Sequence, residues 1–240
     1  QAKGRKGVSL TLAQNYVRTK TTVLASLLVK LGKADAMICG MVGNYHRHLG
    51  HITDILDKKS GVEKVAALNV ISLQKGVFFF CDTTVNSNPT AEELVAMTLQ
   101  SANYVKRFGI TPRAALLSHS NFGSANDDDA KKMAQATNLL HRNHPQLEVE
   151  GEVQADVALL EHLRNEIIND SKLTGEANLF IFPNLDSANI SFNMLRILSD
   201  GVTVGPILLG IETVSYHHLH LPQTRNGITS VTREPVKKQE

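Results

Sequence analysis

The sequence predicts an α/β protein in which helices cover a mainly parallel sheet on both faces. Short apolar runs and segments of helical periodicity alternate along most of the chain, which is the order of βαβ units. The runs are apolar at successive positions, as at 114–117, which is typical of parallel strands buried on both faces. With 240 residues, 42% of them hydrophobic, the chain can bury one large or two smaller cores.

The first half of the chain contains two predicted helices, a strand, a hairpin and a third helix. The predicted elements are a helix at 11–31, a strand at 36–40, a histidine-rich helix at 45–57, strands at 65–73 and 77–81, and a helix from about 91 to 108. Gly76 in the connection between the two strands predicts a hairpin turn. Thr90 is a suitable N-cap for the last helix, because Glu92 and Glu93 then lie in its first turn and favour the helix dipole.

The second half repeats strand and helix in strict alternation. The predicted elements are strand 113–117, helix 127–140, strand 147–152, helix 155–168, strand 179–182, helix 186–198 and strand 202–209. Because each connection contains a helix, neighbouring strands are expected to run parallel.

Three segments at the ends of predicted strands form a polar loop or elbow, at the position where open α/β sheets bind ligands. They lie at 118–124, at 182–189 between a strand and its helix, and at 205–210, which closes the last strand. Hydroxyls and backbone N–H groups at a helix start favour phosphate, but Asn126 or Asp127 also suits an ordinary helix N-cap at the first loop. Because loops at the carboxyl ends of neighbouring parallel strands converge, the three together predict one ligand crevice.

Composition argues against several classes of function. The 25 basic and 23 acidic residues are well mixed and give a formal net charge of +2, so no basic patch indicates nucleic acid. No stretch approaches the roughly 20 apolar residues of a membrane span, and no apolar signal core follows the basic start. We therefore expect no membrane partner and a cytoplasmic location. Cys39 and Cys81 lie in apolar runs, which predicts two buried, reduced thiols.

Two further features indicate that the sequence is one part of a longer protein. It begins without an initiator methionine and without a strand before the helix at 11–31, so we expect it to be a fragment of a longer protein. No Gly-x-Gly-x-x-Gly fingerprint occurs in it, so NADP chemistry is not expected here.

Four segments, in a fixed order, carry a resemblance to a known family. They read ADAMICG at 34–40, LLSHSNFGS at 116–124, GEANL at 175–179 and PNLDSAN at 183–189. They resemble phosphotransacetylases, and more closely the carboxyl-terminal phosphotransacetylase-like domain of large bacterial NADP-dependent malic enzymes. The resemblance runs from about Gly7 to Gly210.

The resemblance implies two α/β subdomains with a ligand cleft between them, an architecture like that of isocitrate and isopropylmalate dehydrogenases. We expect a first subdomain at 1–80, an inserted second subdomain at 81–205, and a truncated or divergent return to the first at 206–240. The resemblance also implies a homodimer or higher homo-oligomer. It implies acetyl-CoA or CoA as ligand, and possible contact with phosphate. Acetyl-CoA would be either a substrate or a regulator of malate oxidation by catalytic domains of the same polypeptide, where NADP and a divalent metal would bind.

The polar loops and the resemblance together select the residues expected to bind acetyl-CoA. These are Ser118, Ser120, Asn121, Ser124, Asn184, Asn189 and Gly205. Hydroxyls, amides and N–H groups at helix starts suit the phosphates and pantetheine amides of this ligand.

Departures from the family pattern bear on catalysis. Aligned without gaps, the arginine that follows the Thr-Ala-Asp segment of phosphotransacetylases falls on Gly50, and Arg47 lies about one helical turn earlier. The family's Ser-Arg-Gly segment is matched only around Arg225, and no carboxylate follows until Glu234, so the expected base is missing. Without a base, the CoA thiol, with a pKa of about 8.5, stays mostly protonated at neutral pH.

Two functions therefore remain open. Arg47 and Arg225 are the remaining catalytic candidates. We expect acetyl-CoA binding without acetyl transfer, and the alternative is an active phosphate acetyltransferase that forms acetyl phosphate and CoA.

The histidines permit a zinc site as a further alternative, because imidazole suits zinc. They form two clusters, at 46–51 and 217–220. Within the first cluster, only His48 and His51 have the helical spacing of three or four residues that a ligand pair needs. We therefore expect an exposed face or a subunit contact rather than a metal site. The acidic run at 127–129 is likewise expected to be the charged first turn of a helix.

Overall fold

The computed structural model describes residues 7–212, which form eight helices and six strands. The helices are α1 (Leu10–Thr19), α2 (Thr21–Lys30), α3 (Tyr45–Ile55), α4 (Ala91–Arg107), α5 (Asp128–Asn143), α6 (Ala155–Leu159), α7 (Glu161–Ile167) and α8 (Leu185–Leu198). The strands are β1 (Ala66–Leu73), β2 (Gly76–Cys81), β3 (Arg113–Leu117), β4 (Glu148–Val153), β5 (Leu179–Ile181) and β6 (Val202–Leu209).

The six strands form one sheet in the order β4-β3-β5-β2-β1-β6. The pairs β4–β3, β3–β5 and β5–β2 are parallel, whereas β1 is antiparallel to both β2 and β6. All strands except β1 therefore run in the same direction, and their carboxyl ends lie at one edge of the sheet. We call this edge the carboxyl edge. The mainly parallel α/β sheet predicted from the sequence is confirmed.

Helices cover the sheet on both faces, because its central strands bury side chains in both directions. In β2, Phe79 and Cys81 contribute to a core beneath α4 and α5, which add residues such as Leu94 and Met133. Phe78 and Phe80 point to the opposite core, to which α6 and α8 contribute. Successive side chains of a strand alternate between faces, so uninterrupted apolar runs produce this arrangement.

A smaller apolar cluster lies between α2, α3 and the sheet. It contains Val29 of α2, Ile52 of α3, Val65 before β1 and Ile211 after β6. The side chain of Asn44 caps α3 by accepting a hydrogen bond from the N–H of His46 at 2.9 Å.

The structure confirms the predicted hairpin and the predicted helix cap, whose interacting residues lie close together in the chain. β1 and β2 pair as a hairpin in register from Leu73↔Gly76 to Leu68↔Cys81. Its turn consists of Gln74 and Lys75, and the expectation that Gly76 lies in the turn is wrong, because Gly76 pairs with Leu73 as the first residue of β2. Thr90 caps α4 in a capping box: its hydroxyl accepts from the N–H of Glu93, and the carboxylate of Glu93 accepts from the N–H of Thr90.

The helix expected at 11–31 is wrong as one unit, because it breaks at Lys20 into α1 and α2. Lys20 has extended backbone angles of φ −119° and ψ 97°. Thr19 and Thr21 flank it, and the hydroxyl of Thr19 bonds back to the carbonyl of Asn15 at 2.8 Å. β-branched residues lose rotamer freedom in a helix, and such back-bonding weakens the helical ladder, so a break here costs little.

The helix expected at 155–168 also divides, at Leu160, into α6 and α7. In a continuous helix, the carbonyls of Val157 and Ala158 would accept from N–H groups four residues later. Here the buried guanidinium of Arg164 donates to both carbonyls, and the N–H of Ala177 donates to that of Ala158 at 3.0 Å. The competing donors end the first helix.

The strand expected at 36–40 is wrong, because these residues are irregular. An apolar run forms a strand only beside a partner strand, and none of the six strands described above pairs with it. Ile38 is consequently 88% exposed, and Cys39 is exposed rather than buried. The expectation for Cys81 is confirmed, since it is a buried free thiol.

The division at 1–80, 81–205 and 206–240 stays a prediction. Strands from the first two of these ranges share one sheet through the parallel pairing of β2 with β5. Among the helices between residues 7 and 212, none combines the length and apolar composition that crossing a bilayer requires.

Candidate functional site

Polar residues follow each of the parallel strands at the carboxyl edge. Asp82 follows β2, Asn184 lies just beyond β5, Ser118 follows β3 and Gln154 follows β4. Since the strands are adjacent and parallel, these loops lie side by side. The edge is the place where a sheet of this kind offers a ligand crevice.

The loop after β3, residues 118–125, is closed by hydrogen bonds, and we call it the serine loop. The N–H groups of Ser118 and of every residue from Ser120 to Ala125 donate to acceptors in the loop or in β4. Among them, Ala125 donates to Ser120 Oγ at 3.0 Å, and Asn121 donates to Ser124 Oγ at 2.9 Å. These backbone N–H groups are therefore not available to bind a ligand.

Glu152 in β4 and Gln154 directly after it hold the serine loop in place through hydrogen bonds. The carboxylate of Glu152, only 3% exposed, accepts from the hydroxyl of Ser120 at 2.7 Å and from the N–H of Gly123 at 2.6 Å. Gln154 donates its N–H to Asn121 Oδ1 at 2.7 Å and its side-chain amide to the carbonyl of His119.

The start of α5, directly after the serine loop, is an ordinary capped helix end. The carboxylate of Asp127 accepts from the N–H groups of Asp129 and Ala130, each at 3.1 Å. These backbone hydrogen bonds lower the pKa of Asp127, first of all that from Ala130. Of the two interpretations left open by the sequence, the N-cap is supported and the phosphate site is not, because a carboxylate occupies the donors.

The serine loop nevertheless presents polar side chains. Ser124 is exposed, Ser118 and Asn121 are half-buried, and Ser120 is fully buried beneath them. With its N–H groups occupied and a carboxylate below, the loop suits uncharged ligand groups that form hydrogen bonds with hydroxyls and amides. It does not suit phosphate.

Two other residues expected to bind acetyl-CoA, Asn189 and Gly205, are connected through contacts at the carboxyl end of β2. Asn189 Nδ2 donates to the carbonyl of Thr83 at 3.1 Å, and Asn69 Nδ2 donates to Thr83 Oγ1 at 2.5 Å. Gly205 of β6 lies against Asn69, where an added Cβ would overlap Asn69 Oδ1 and lie 3.0 Å from the carbonyl of Leu68. Asn189 and Gly205 are thus brought together through Asn69 and Thr83.

The buried carboxylate of Asp82 fixes the loop after β2. It accepts from the N–H groups of Ala67, Thr84, Val85 and Asn86, at 2.9–3.2 Å. It also accepts from the side-chain amide of Asn86. This loop is as firmly closed as the serine loop.

Asn184 connects the loop after β5 to the start of α5. Its side-chain carbonyl caps α8 by accepting from the N–H of Ser187, and its amide donates to Asp129 Oδ2 at 3.2 Å. Asp129 in turn pairs with Lys132, which donates to Asn88 in the loop after β2. Asn184 therefore lies between the serine loop on one side and the pair Asn189 and Gly205 on the other.

A cavity of about 350 Å³ lies beside this edge, between α3 and the loop after β2. Its lining comprises His46, Leu49, Gly50, Thr53, Lys58, Glu63, Lys64, Val65, Val85 and Asn86. Gly50, where the family's arginine aligns, faces open space, since an added Cβ would meet nothing within 4 Å. Arg47 is exposed on the same helix and does not line the cavity. Arg225 lies outside the described residues.

The amino end of α3 faces the carboxyl edge. Burial raises the pKa of Tyr45 to about 12, and the negative charges of Asp82 and Cys39 add to the effect. In the same helix, His48 is held by Thr22 Oγ1 at 2.7 Å and by the carbonyl of Val42 at 2.8 Å. Between residues 7 and 212, no group of three or more histidine, cysteine, aspartate or glutamate side chains could hold a metal ion. The second histidine cluster lies beyond the described residues.

Sequence reasoning missed several residues that organise this edge. Asp82 and Thr83 follow β2 as Ser118 follows β3, so the same rule of a polar residue after a buried strand could have found them. Glu152 gave no such signal, because acidic residues at 148, 150 and 152 look like the exposed face of a strand. Its burial follows only from the serine loop that covers it.

Comparisons with known proteins agree with this architecture. The family described as Phosphate acetyl/butaryl transferase matches residues 1–219. An NAD-dependent malic enzyme of Rhizobium meliloti is 47% identical over 95% of this chain and 30% of its own length. An NADP-dependent malic enzyme of Haemophilus influenzae is 44% identical over 98% of this chain and 31% of its own length. The chain thus spans about a third of the malic enzymes that it matches.

A solved structure matches the fold as well. The phosphotransacetylase from Streptococcus pyogenes has a TM-score of 0.80 and 30% identity, with 88% of this chain and 65% of that chain covered. The resemblance drawn from the four sequence segments is confirmed by these matches. On the family match and the shared fold, the chain belongs to the phosphate acetyl/butaryl transferase family.

Proposed function

We propose that this chain is the phosphotransacetylase-like domain of a malic enzyme, where it binds acetyl-CoA as a regulatory ligand and takes part in assembly without transferring an acetyl group. The observation that carries the proposal is the carboxyl edge, where closed polar loops after three parallel strands lie side by side. Membership of a family named for phosphate acetyl transfer supports acetyl-CoA as the ligand.

The side chains at this edge suit the uncharged part of acetyl-CoA. Ser118, Asn121 and Ser124 offer hydroxyls and an amide, and pantetheine contains two amide groups and a hydroxyl that pair with such partners. The neighbouring cavity includes Lys58 and Lys64, whose positive charges would favour the phosphates. Each loop is held by internal hydrogen bonds, so little ordering entropy would be lost on binding.

The absence of a guanidinium at position 50 supports binding without turnover. Acetyl transfer to phosphate requires a cation that orients the phosphate, and a planar guanidinium does so with two parallel hydrogen bonds. Gly50 provides none, and Arg47, one turn away and outside the cavity lining, cannot reproduce its geometry.

Assembly has support on the outer face of α8. Ile190, Met194, Ile197 and Leu198 follow the helical spacing of one face and are 57–79% exposed. A second copy of the chain is the occupant we propose, because a two-fold related helix with the same apolar face is self-complementary.

Malate oxidation would take place in the remaining two thirds of a longer polypeptide, and NADP and the divalent metal would bind there. To act as a regulator, acetyl-CoA must bind one state of that polypeptide more tightly than another. A coupling of about 1–3 kcal/mol would change the apparent affinity for malate by roughly 5- to 150-fold.

Phosphate acetyltransferase activity is the second candidate, favoured by the likeness to the Streptococcus pyogenes phosphotransacetylase. The discriminating experiment measures acetyl phosphate formation by this chain from acetyl-CoA and phosphate, with an active phosphotransacetylase as positive control. We expect a rate equal to that of buffer. A turnover of about one per second or more, abolished by Arg47→Ala or Arg225→Ala, would establish the second candidate instead.

A further inference from the structure

We propose that Glu152 is a positioning residue for ligand binding: its buried carboxylate holds the serine loop in the conformation that presents Ser118, Asn121 and Ser124. The inference rests on the proposed function, because the ligand concerned is acetyl-CoA. Glu152 is buried beneath the loop, so it would act on the ligand only through the residues that it holds in place.

The first argument is the placement of the charge. Glu152 is 3% exposed and takes part in none of the ion pairs found among residues 7–212. A buried carboxylate is costly unless hydrogen bonds compensate it. The compensating donors here are Ser120 Oγ at 2.7 Å and the N–H of Gly123 at 2.6 Å, and both belong to the serine loop.

The second argument is how far these two bonds reach. Ser120 Oγ also accepts from the N–H of Ala125 at 3.0 Å and lies 3.3 Å from Ser124 Oγ. The carbonyl of Glu152 accepts from the N–H of Phe122, which has a φ of 48° that non-glycine residues rarely adopt. One residue of β4 thereby holds the middle and the end of the loop.

The third argument is a contrast within the same strand. Glu150 is also 3% exposed, but its carboxylate accepts from the hydroxyl of Ser171 at 3.0 Å and the N–H of Lys172 at 2.8 Å. It holds the segment before β5, which contains none of the expected ligand residues. Glu150→Ala is therefore a matched control for Glu152→Ala, with the same chemical change at equal burial in the same strand.

The experiment uses the full 240-residue chain with acetyl-CoA as the probe and measures affinity by calorimetry. Glu152→Ala removes both hydrogen bonds and should weaken binding about tenfold or more. Glu152→Gln keeps an oxygen that can accept both bonds and should remain within about threefold of wild type. Glu150→Ala should bind as wild type does.

Hydrogen exchange at the amides of Gly123 and Ala125 provides the structural readout. Exchange should accelerate about tenfold in Glu152→Ala and stay near the wild-type rate in Glu152→Gln and Glu150→Ala. Ser120→Ala serves if Glu152→Ala fails to fold, because it removes the shared hydroxyl while leaving the carboxylate. It should weaken acetyl-CoA binding in the same direction.

The outcomes separate this inference from the function on which it rests. A wild-type chain that does not bind acetyl-CoA overturns the proposed function and, with it, a ligand role for Glu152. A wild-type chain that binds, together with Glu152→Ala and Ser120→Ala variants of equal affinity, overturns the positioning role alone. Weakening by Glu150→Ala to the same extent as by Glu152→Ala would likewise overturn it, because it would show a general effect of destabilisation.

Discussion

Asn189 of α8 donates a hydrogen bond of 3.1 Å to the carbonyl of Thr83, 106 residues earlier in the chain. The bond joins the helix that follows β5 to the loop that follows β2. Because these strands are parallel neighbours, one amide is enough to hold two walls of the carboxyl edge together. The site is thus built from contacts distant in sequence, and its parts depend on one another.

The first prediction concerns this bond. Asn189→Leu removes the donor and leaves the carbonyl of Thr83, a residue only 1% exposed, without that partner. We expect the free energy of unfolding to fall by about 1–2 kcal/mol, as measured by urea denaturation. Asn143→Leu, exposed at the far end of α5, is the control and should change stability little. Equal losses in the two variants would contradict this account of the bond.

The second prediction concerns the pH dependence of the capping box. The pKa of Glu93 is lowered by hydrogen bonding to Lys64 and to the N–H of Thr90. A depressed pKa in the folded state gives stability that is present above the unfolded value, near pH 4.3, and is lost as pH falls through the folded value.

Glu93→Gln should therefore be less stable than wild type at pH 6, and the difference should shrink below about pH 4. Urea denaturation across this range measures it, and Glu92→Gln, outside the capping box, is the comparison. A difference that grows on acidification would reverse the assigned sign.

The third prediction uses the open space at Gly50, an exposed position inside α3. Gly50→Ala should raise the free energy of unfolding by about 0.5–1 kcal/mol, because alanine loses less backbone entropy in a helix. Gly50→Arg should fold as well. Gly205→Ala should be destabilised, since Gly205 has a φ of 133° and lacks room for a Cβ. Thermal unfolding of the three variants gives the ranking, and loss of folding in Gly50→Ala would refute it.

The fourth prediction distinguishes the two thiols. Cys39 is exposed, whereas Cys81 is fully buried and burial raises its pKa strongly. A thiol reagent should modify one cysteine in the native chain and two in denaturant, and Cys39→Ser should abolish the native reaction. Partial burial also raises the pKa of Cys39, so the native rate should still be rising above about pH 9. Rapid native labelling of Cys81 would contradict its burial.

Elements with local signals could be predicted from the sequence. The apolar run of β3, the hairpin between β1 and β2 and the cap at Thr90 each lie within a few residues of the structure they specify, and each is confirmed. The carboxyl edge could be anticipated as well, since strand direction follows from alternation of strands and helices.

Features that depend on distant partners could not be predicted. The apolar run at 36–40 looks like a strand, but pairing is a property of two segments, and one sequence window does not contain both. The break at Leu160 depends on the guanidinium of Arg164, which is fully buried and donates to carbonyls of α6. Helical periodicity gives no sign of this competition. Likewise, the burial of Glu152 depends on a loop some 30 residues away in the chain.

The most direct test of acetyl-CoA binding at the carboxyl edge is a calorimetric titration of this chain with acetyl-CoA. Wild type should give a saturable heat, and the Ser124→Leu, Asn189→Leu double variant should lose most of it while still folding, as judged by thermal unfolding. Asn143→Leu should bind as wild type does. Absence of heat at millimolar acetyl-CoA, or equal affinity in wild type and the double variant, would contradict the account.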